Sequence, residues 1–361
     1  MAVQYQSETI KNLKKLRRHP PALIGLAVLV VLYTMCILAE FVAPYHYDNE
    51  SRVHSFAPPT RIHLFDADGD FHLVPFIYNS EYSFDQYYRR IYVEQTDKRY
   101  QLRLFAKGDS YKLMGLIPWD RHLIGVEEGG RLFLMGADSR GRDIFSRIVY
   151  GSRVSLTVGF VGVLVSYSIG ILVGGLAGFY GGWVDNTLMR ICEMVMLVPA
   201  FYLLLALSAA LPVEISSVYR YLFIVFILSF IGWARLARVI RGLVKSLRQR
   251  EFVLAAQAIG KSDVGVIFSH IIPQTFSFLI VSVTLSIPAY ILGESGLSLI
   301  GLGIQDPHAS WGNMLSDAMN VADIKFHPWI LLPGFFIFIT VMAFNFLGDG
   351  LRDVFDPKAA R

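Results

Sequence analysis

Charged side chains are scarce. Asp, Glu, Lys and Arg make up 17% of the 361 residues, while 54% are hydrophobic; a soluble chain carries about a quarter charged residues. The deficit argues for lipid as the solvent. Cysteine is almost missing: Cys36 and Cys192 both sit in apolar runs, so no disulfide framework or zinc site is suggested and each reads as apolar filler. Enzyme signatures are missing too. "GADSRGRDIFS" from Gly136 lacks the Lys-Ser/Thr pair of a phosphate-binding loop, and there is no HExxH or G-x-S-x-G. The nine His are scattered; His46, His54, His63, His72 and His122 fall in one long polar loop without ligand spacing.

What is present is long apolar runs. About 20 apolar residues cross the hydrocarbon, and six stretches qualify: 21–43 and roughly 154–179, 188–211, 221–240, 273–300 and 328–347. The first is too long for a signal peptide, and Phe41 spoils the cleavage pattern at Ala43, so it reads as an uncleaved anchor. The second carries Gly159, Gly162, Gly170, Gly174, Gly175 and Gly178, which suits close helix approach. Lys11, Lys14, Lys15, Arg17 and Arg18 precede the first span. Arg235, Arg238, Arg241, Lys245, Arg248, Arg250 and Lys261 lie between the fourth and fifth, and Arg352, Lys358 and Arg361 fill the tail. By the positive-inside rule, segments 1–20, 241–272 and 351–361 are cytoplasmic. The core of five later spans runs over 151–350.

Segment 44–150 is then an extracytoplasmic insert. "RIHLFDADGDFHLVPF" alternates apolar and polar residues about a Gly69 turn, and "RRIYVEQTDKRYQLRLFAKG" alternates likewise, which predicts a short antiparallel sheet. Asp66, Asp68 and Asp70 lack the glycine and distal Glu of a calcium loop and read as a solvated turn. Inside the spans, Arg190 and Glu193 are spaced to pair, and Glu294 stands late in the fifth. No chain of intramembrane acids or histidines suggests a proton relay.

One segment is water-compatible in this apolar chain. In "EFVLAAQAIG", Phe252, Ala255, Ala256 and Ile259 recur at helical spacing and Glu251 suits the first turn. Gly260 can end the helix left-handed and Ser262 or Asp263 can cap the next. Two short helices at an angle thus lead into the fifth span at Pro273. On physical grounds alone they either lie on lipid or dock a cytoplasmic partner.

"EFVLAAQAIGKSDVGVIFSHIIPQ" resembles the EAA signature of ABC-importer permeases. "MGADSRGRDIFSRIVYGSRVSLTVG" and "GLSLIGLGIQDPHASWGNML" resemble segments of the C-type permease subunits of the oligopeptide/dipeptide group. Departures are Glu193 where the group commonly has Asp, the "LGES" stretch before Gly296, and an insert of about 100 residues, long for the group. The resemblance implies an all-α polytopic membrane protein of the type I ABC importer permease fold: six transmembrane helices, with a small β-rich insert between helices 1 and 2. It implies a non-enzymatic subunit in a bacterial or archaeal cytoplasmic membrane, both termini cytoplasmic, moving peptides or similar oligomers. The same machinery serves nickel chelates, opines or oligosaccharides; an ion- or proton-coupled carrier or an outer-face enzyme fits the sequence less well. The implied partners are a second homologous permease, two cytoplasmic ATPase subunits, an extracytoplasmic substrate-binding protein and the bilayer, with no nucleic acid. ATP and magnesium would be bound by the ATPases, no cofactor or metal by this chain. Glu251, Phe252, Ala255, Ala256, Ile259, Gly260 and Pro273 would form the ATPase-docking loop, and spans two to five the pathway wall.

Overall fold

The computed structural model describes residues 15–212 and 215–355. Lys11 and Lys14 of the N-terminal basic cluster, and Lys358 and Arg361 of the tail, lie outside the described residues. The helices in chain order are α1 (Pro20–Ile37), α2 (Ala39–Val42), α3 (Ile144–Tyr180), α4 (Gly182–Leu197), α5 (Ala200–Ala209), α6 (Ser217–Leu247), α7 (Glu251–Ala258), α8 (Asp263–Val266), α9 (Phe276–Leu299), α10 (Trp311–Met314), α11 (Val321–Phe326) and α12 (Leu332–Phe355). Strands β1 (His63–Phe65), β2 (Phe71–Phe84), β3 (Arg90–Leu113) and β4 (Ile117–Val126) lie between α2 and α3.

Among the described residues, five helical stretches are long and apolar enough to cross a membrane: α1, α3, α6, Asp263–Leu299 and Pro328–Phe355. The pair α4–α5, bent by 70°, makes a sixth if counted as one broken span. The third span expected over 188–211 falls on this bent pair. Pro199 lacks an N–H and forces its predecessor out of the helical region, and Val198 is extended at ψ 121°. The helix that carries the second span begins before 154, at Ile144. Arg147 and Arg153 continue the helix because acidic partners meet them: Asp306 for Arg147 and Glu40 for Arg153.

The chain divides into two compact units. One takes the described parts of 1–30, 157–294 and 339–361; the other takes 31–156 and 295–338. In the first unit α3 meets α6 through its glycines. A methyl at Gly174 would collide with the Ala237 carbonyl oxygen, and one at Gly178 would stand 2.6 Å from that of Arg241. Small residues thus let two backbones touch, the packing that lipid-embedded helices use in place of a hydrophobic driving force. Ala177, Met189, Cys192, Trp233, Ala234 and Ala237 form a buried cluster where α3, α4 and α6 pack together.

In the second unit the four strands form one antiparallel sheet in the order β1-β2-β3-β4. The expected turn is there: Asp66 accepts hydrogen bonds from the N–H groups of Asp68 (3.1 Å) and Asp70 (2.9 Å). Its carboxylate also pairs with His72 and Arg99. The sheet is longer than expected, because β3 spans 24 residues and serves two hairpins. Its first half pairs with β2 up to Gln101, and from Leu102 onward it pairs with β4.

Candidate functional site

α6 ends at Leu247, and Arg250, in extended conformation, opens α7. The helix ends as Gly260 predicts. Gly260 lies at φ +82°, its N–H reaches the Gln257 carbonyl (2.9 Å), and the Lys261 N–H reaches that of Ala256 (3.2 Å). These are the two bonds of a Schellman motif, which satisfies carbonyls otherwise left open. Ser262, rather than Asp263, caps α8 by accepting from the Gly265 N–H at 3.3 Å. The chain then runs through Ile267–Thr275, with Pro273 in its last turn, directly into α9.

Burial divides the expected apolar stripe. Val253 and Ala256, three residues apart, are buried and fasten α7 to its own unit. Glu251, Phe252, Ala255, Ile259 and Gly260 are exposed, Ile259 at 82%. Ala256 thus parts from the stripe and forms the seat of the helix. Leu254 and Val264 add to the open apolar surface. Behind α7, Ile267, Ile271 and Ile272 are buried, and Ile267 packs where a methyl on Gly175 of α3 would stand 3.3 Å away.

Arg190 and Glu193 pair at 2.9 Å on an exposed face of α4. Glu294 is fully buried late in α9, within electrostatic range of Tyr221, whose hydroxyl donates to Thr157 at 3.0 Å. The structure does not bring these three residues to α7.

Three features escape sequence reasoning. Asp185, buried at the start of α4, holds Arg241 of α6, with Arg241 Nη2 at 2.6 Å from Oδ2. A cavity of about 450 Å³ is lined by residues of α3, α5, α6 and α9, among them Tyr167, Arg235, Ser282, Ser286 and Tyr290. The Tyr167 hydroxyl is bonded there to Ser282 (2.6 Å) and Ser286 (2.9 Å). The third is an ionic cluster in the second unit. Asp306 accepts from Arg142 (2.8 Å) and Arg147 (3.0 Å), and Asp138 accepts from Arg142 at 2.7 Å. Arg140 reaches Asp306 (3.4 Å) and Glu50 (3.2 Å). Burial works to raise the Asp306 pKa, but the three guanidinium groups outweigh it and hold the carboxyl below its ordinary value. Nearby, Ser139 donates to Asp317 at 3.0 Å, and burial raises the Asp317 pKa against those bonds. Trp311, fully buried, donates to the Ile148 carbonyl at 2.9 Å. The segments 135–159 and 296–315, read separately in the sequence, are thus bolted together.

A set of apolar spans, with a capped and exposed helix between two of them, defines a polytopic membrane protein. The chain belongs to the family of binding-protein-dependent transport system inner membrane components, which matches residues 170–361. The N-terminal TM domain of oligopeptide transport permease C matches residues 11–59, and the sheet lies between the two matched stretches. The dipeptide transport system permease protein of Bacillus subtilis is 40% identical over 227 residues, 63% of this chain and 69% of the relative. The oligopeptide transport system permease protein of the same organism is 38% identical over 224 residues, 62% and 71%. That of Haemophilus influenzae is 40% identical over 233 residues, 64% and 71%.

Proposed function

We propose that this chain is the transmembrane subunit of an ATP-driven importer for peptides or similar oligomers, coupled to cytoplasmic ATPase subunits through α7. It pairs with a second, related permease to enclose the pathway, and an extracytoplasmic binding protein delivers the substrate. Both termini and α7 are cytoplasmic, on the side of the Lys and Arg clusters. ATP and magnesium belong to the ATPase partners. The relatives named for dipeptide and oligopeptide transport support the substrate class. The cavity around Tyr167, Ser282 and Ser286 offers hydroxyls to a polar backbone and is the proposed stretch of pathway wall.

The observation that carries the coupling role is the division of α7. Val253 and Ala256 hold it rigidly from below, while Phe252, Ala255 and Ile259 stand open. A short helix that is capped at its end and continuous with α9 passes a push on its open face into a span as a rigid-body movement. The test is ATP-dependent uptake of labelled di- and oligopeptides by the assembled transporter in vesicles. Ala255→Asp and Ile259→Asp place a charge on the open face without disturbing the seat, and both should abolish uptake while the chain inserts normally. Uptake at the wild-type rate in both would overturn the coupling role. Ala256→Asp is the poorer probe, because it buries a charge within the chain itself.

A further inference from the structure

The β3–β4 hairpin carries an apolar tip that the fold of its own unit does not cover. Its turn reads Leu113-Met114-Gly115-Leu116, continued by Ile117-Pro118-Trp119. Hairpin turns are normally polar. Met114 (φ 51°) and Gly115 (φ 75°) are both left-handed, and the Leu116 N–H bonds the Leu113 carbonyl at 3.0 Å. Two left-handed residues in succession favour Gly, Asn or Asp; a methionine there takes a strained backbone in exchange for an apolar side chain at the tip. The register pairs Tyr111 with Trp119 and Leu113 with Ile117, so these four share one face. Leu116 is 82% exposed, and Met114, Ile117 and Trp119 are also exposed.

The hairpin is also fixed in depth. Tyr111 and Lys112 line a cavity together with Glu40 of α2, Phe105 packs on Phe41 at 5.8 Å, and His122 Nδ1 bonds the Ala43 carbonyl at 2.6 Å. Glu40 stands three residues beyond the end of α1, where Arg153 donates to the carbonyls of Cys36 (2.9 Å) and Ile37 (3.2 Å). Val30, Val31 and Ile37 are exposed along α1, the surface that a membrane span turns to lipid. The apolar tip therefore continues that surface at the level where hydrocarbon gives way to headgroups. Trp is favoured at this level, and exposed Lys112 can extend its ammonium to headgroup phosphates.

We infer that the β3–β4 hairpin lies with its tip in the interfacial layer of the bilayer, a lipid foothold beside the C-terminal end of α1. The test places an environment-sensitive fluorophore on Leu116→Cys in the full-length chain. Tyr88→Cys, at the exposed β2–β3 turn, is the aqueous control. Cys36 and Cys192 are buried, so labelled wild type is the blank. The vesicles contain phosphatidylethanolamine and phosphatidylglycerol, with and without bromine near the headgroup end of the acyl chains. Blue-shifted emission and bromine quenching at Leu116→Cys, with neither at Tyr88→Cys, are expected from the chain alone and from the assembled transporter. Water-like, unquenched emission at both positions would overturn the inference. So would shielding at Leu116→Cys that appears only on assembly, because a protein partner would then be the occupant.

Discussion

Replacing Asp306, one-third exposed above two buried arginines, by Asn removes one charge from the ionic cluster while nearly preserving its shape. Arg142 and Arg147 are 4% and 2% exposed, and Asp306 accepts from both at 2.8 and 3.0 Å. Asp138 alone would then face two buried guanidinium groups, with Glu50 at 4.0 Å from Arg142 as the nearest remaining relief. Breaking a pair from one side costs about 3–5 kcal/mol when both partners are fully buried. A surface pair contributes about 1 kcal/mol or less; Asp306 is one-third exposed over two buried arginines, so the loss falls between these limits, at about 2 kcal/mol. At about 2–4 °C per kcal/mol, the midpoint of thermal unfolding should fall by about 4–8 °C. The assay is thermal unfolding of the purified chain, run alongside Arg147→Met and the double variant Arg147→Met/Asp306→Leu. The double variant should recover much of the loss, because it removes both charges. If Asp306→Asn unfolds within about 2 °C of wild type, or the double variant loses the sum of both singles, the cluster does not join segments 135–159 and 296–315.

Three more predictions follow from single positions. Burial pushes the Asp143 carboxyl up to about 6, against bonds from the Ser146 hydroxyl and N–H. A raised folded pKa makes stability greatest below the unfolded value and lowers it as pH rises from about 4 to 6. Asp143→Asn should therefore flatten that pH dependence and stabilise the chain at pH 7 by up to about 3 kcal/mol; thermal melts at pH 4.5 and 7 read both effects. Asp185→Asn leaves Arg241 without its carboxylate and, since Arg241 is one-third exposed, should cost about 1–2 kcal/mol. The same melts measure it, and restoring the pair in swapped order should recover part of the loss. Gly260→Val sets a β-branched residue at φ +82° and should cost the end of α7 roughly 1–2 kcal/mol. Amide exchange over 251–262 should then speed up on the order of 5–30-fold.

Hydropathy made the apolar spans legible, because a helix crossing lipid has no other composition available to it. The alternation on either side of Gly69 was equally direct, since a half-buried strand repeats every two residues. The break at Pro199 was present in the sequence, but a hydropathy window weighs its neighbours and passes over the missing N–H. The start of α3 was hidden for the opposite reason: Arg147 and Arg153 look like the end of an apolar run until Asp306 and Glu40 are known to meet them. Those partners stand 159 and 113 positions away in the chain, so local pattern holds no trace of them. On α7 the spacing of Phe252, Ala255, Ala256 and Ile259 shows a helix. Which flank the molecule covers depends on Val253 meeting the rest of its unit, and the period cannot tell a seat from an open face. Gly260 was legible in full, because a left-handed helix end needs only one residue type.

The central claim is that the open face of α7 receives an ATPase subunit. Cysteine-to-cysteine cross-linking in membranes holding the whole transporter tests it most directly, with single cysteines placed in turn at Ala255, Ile259 and Val253 against a cysteine series on the ATPase. The account predicts adducts from Ala255→Cys and Ile259→Cys that change in yield when ATP is added, and none from Val253→Cys. Adducts from neither open-face position would contradict it.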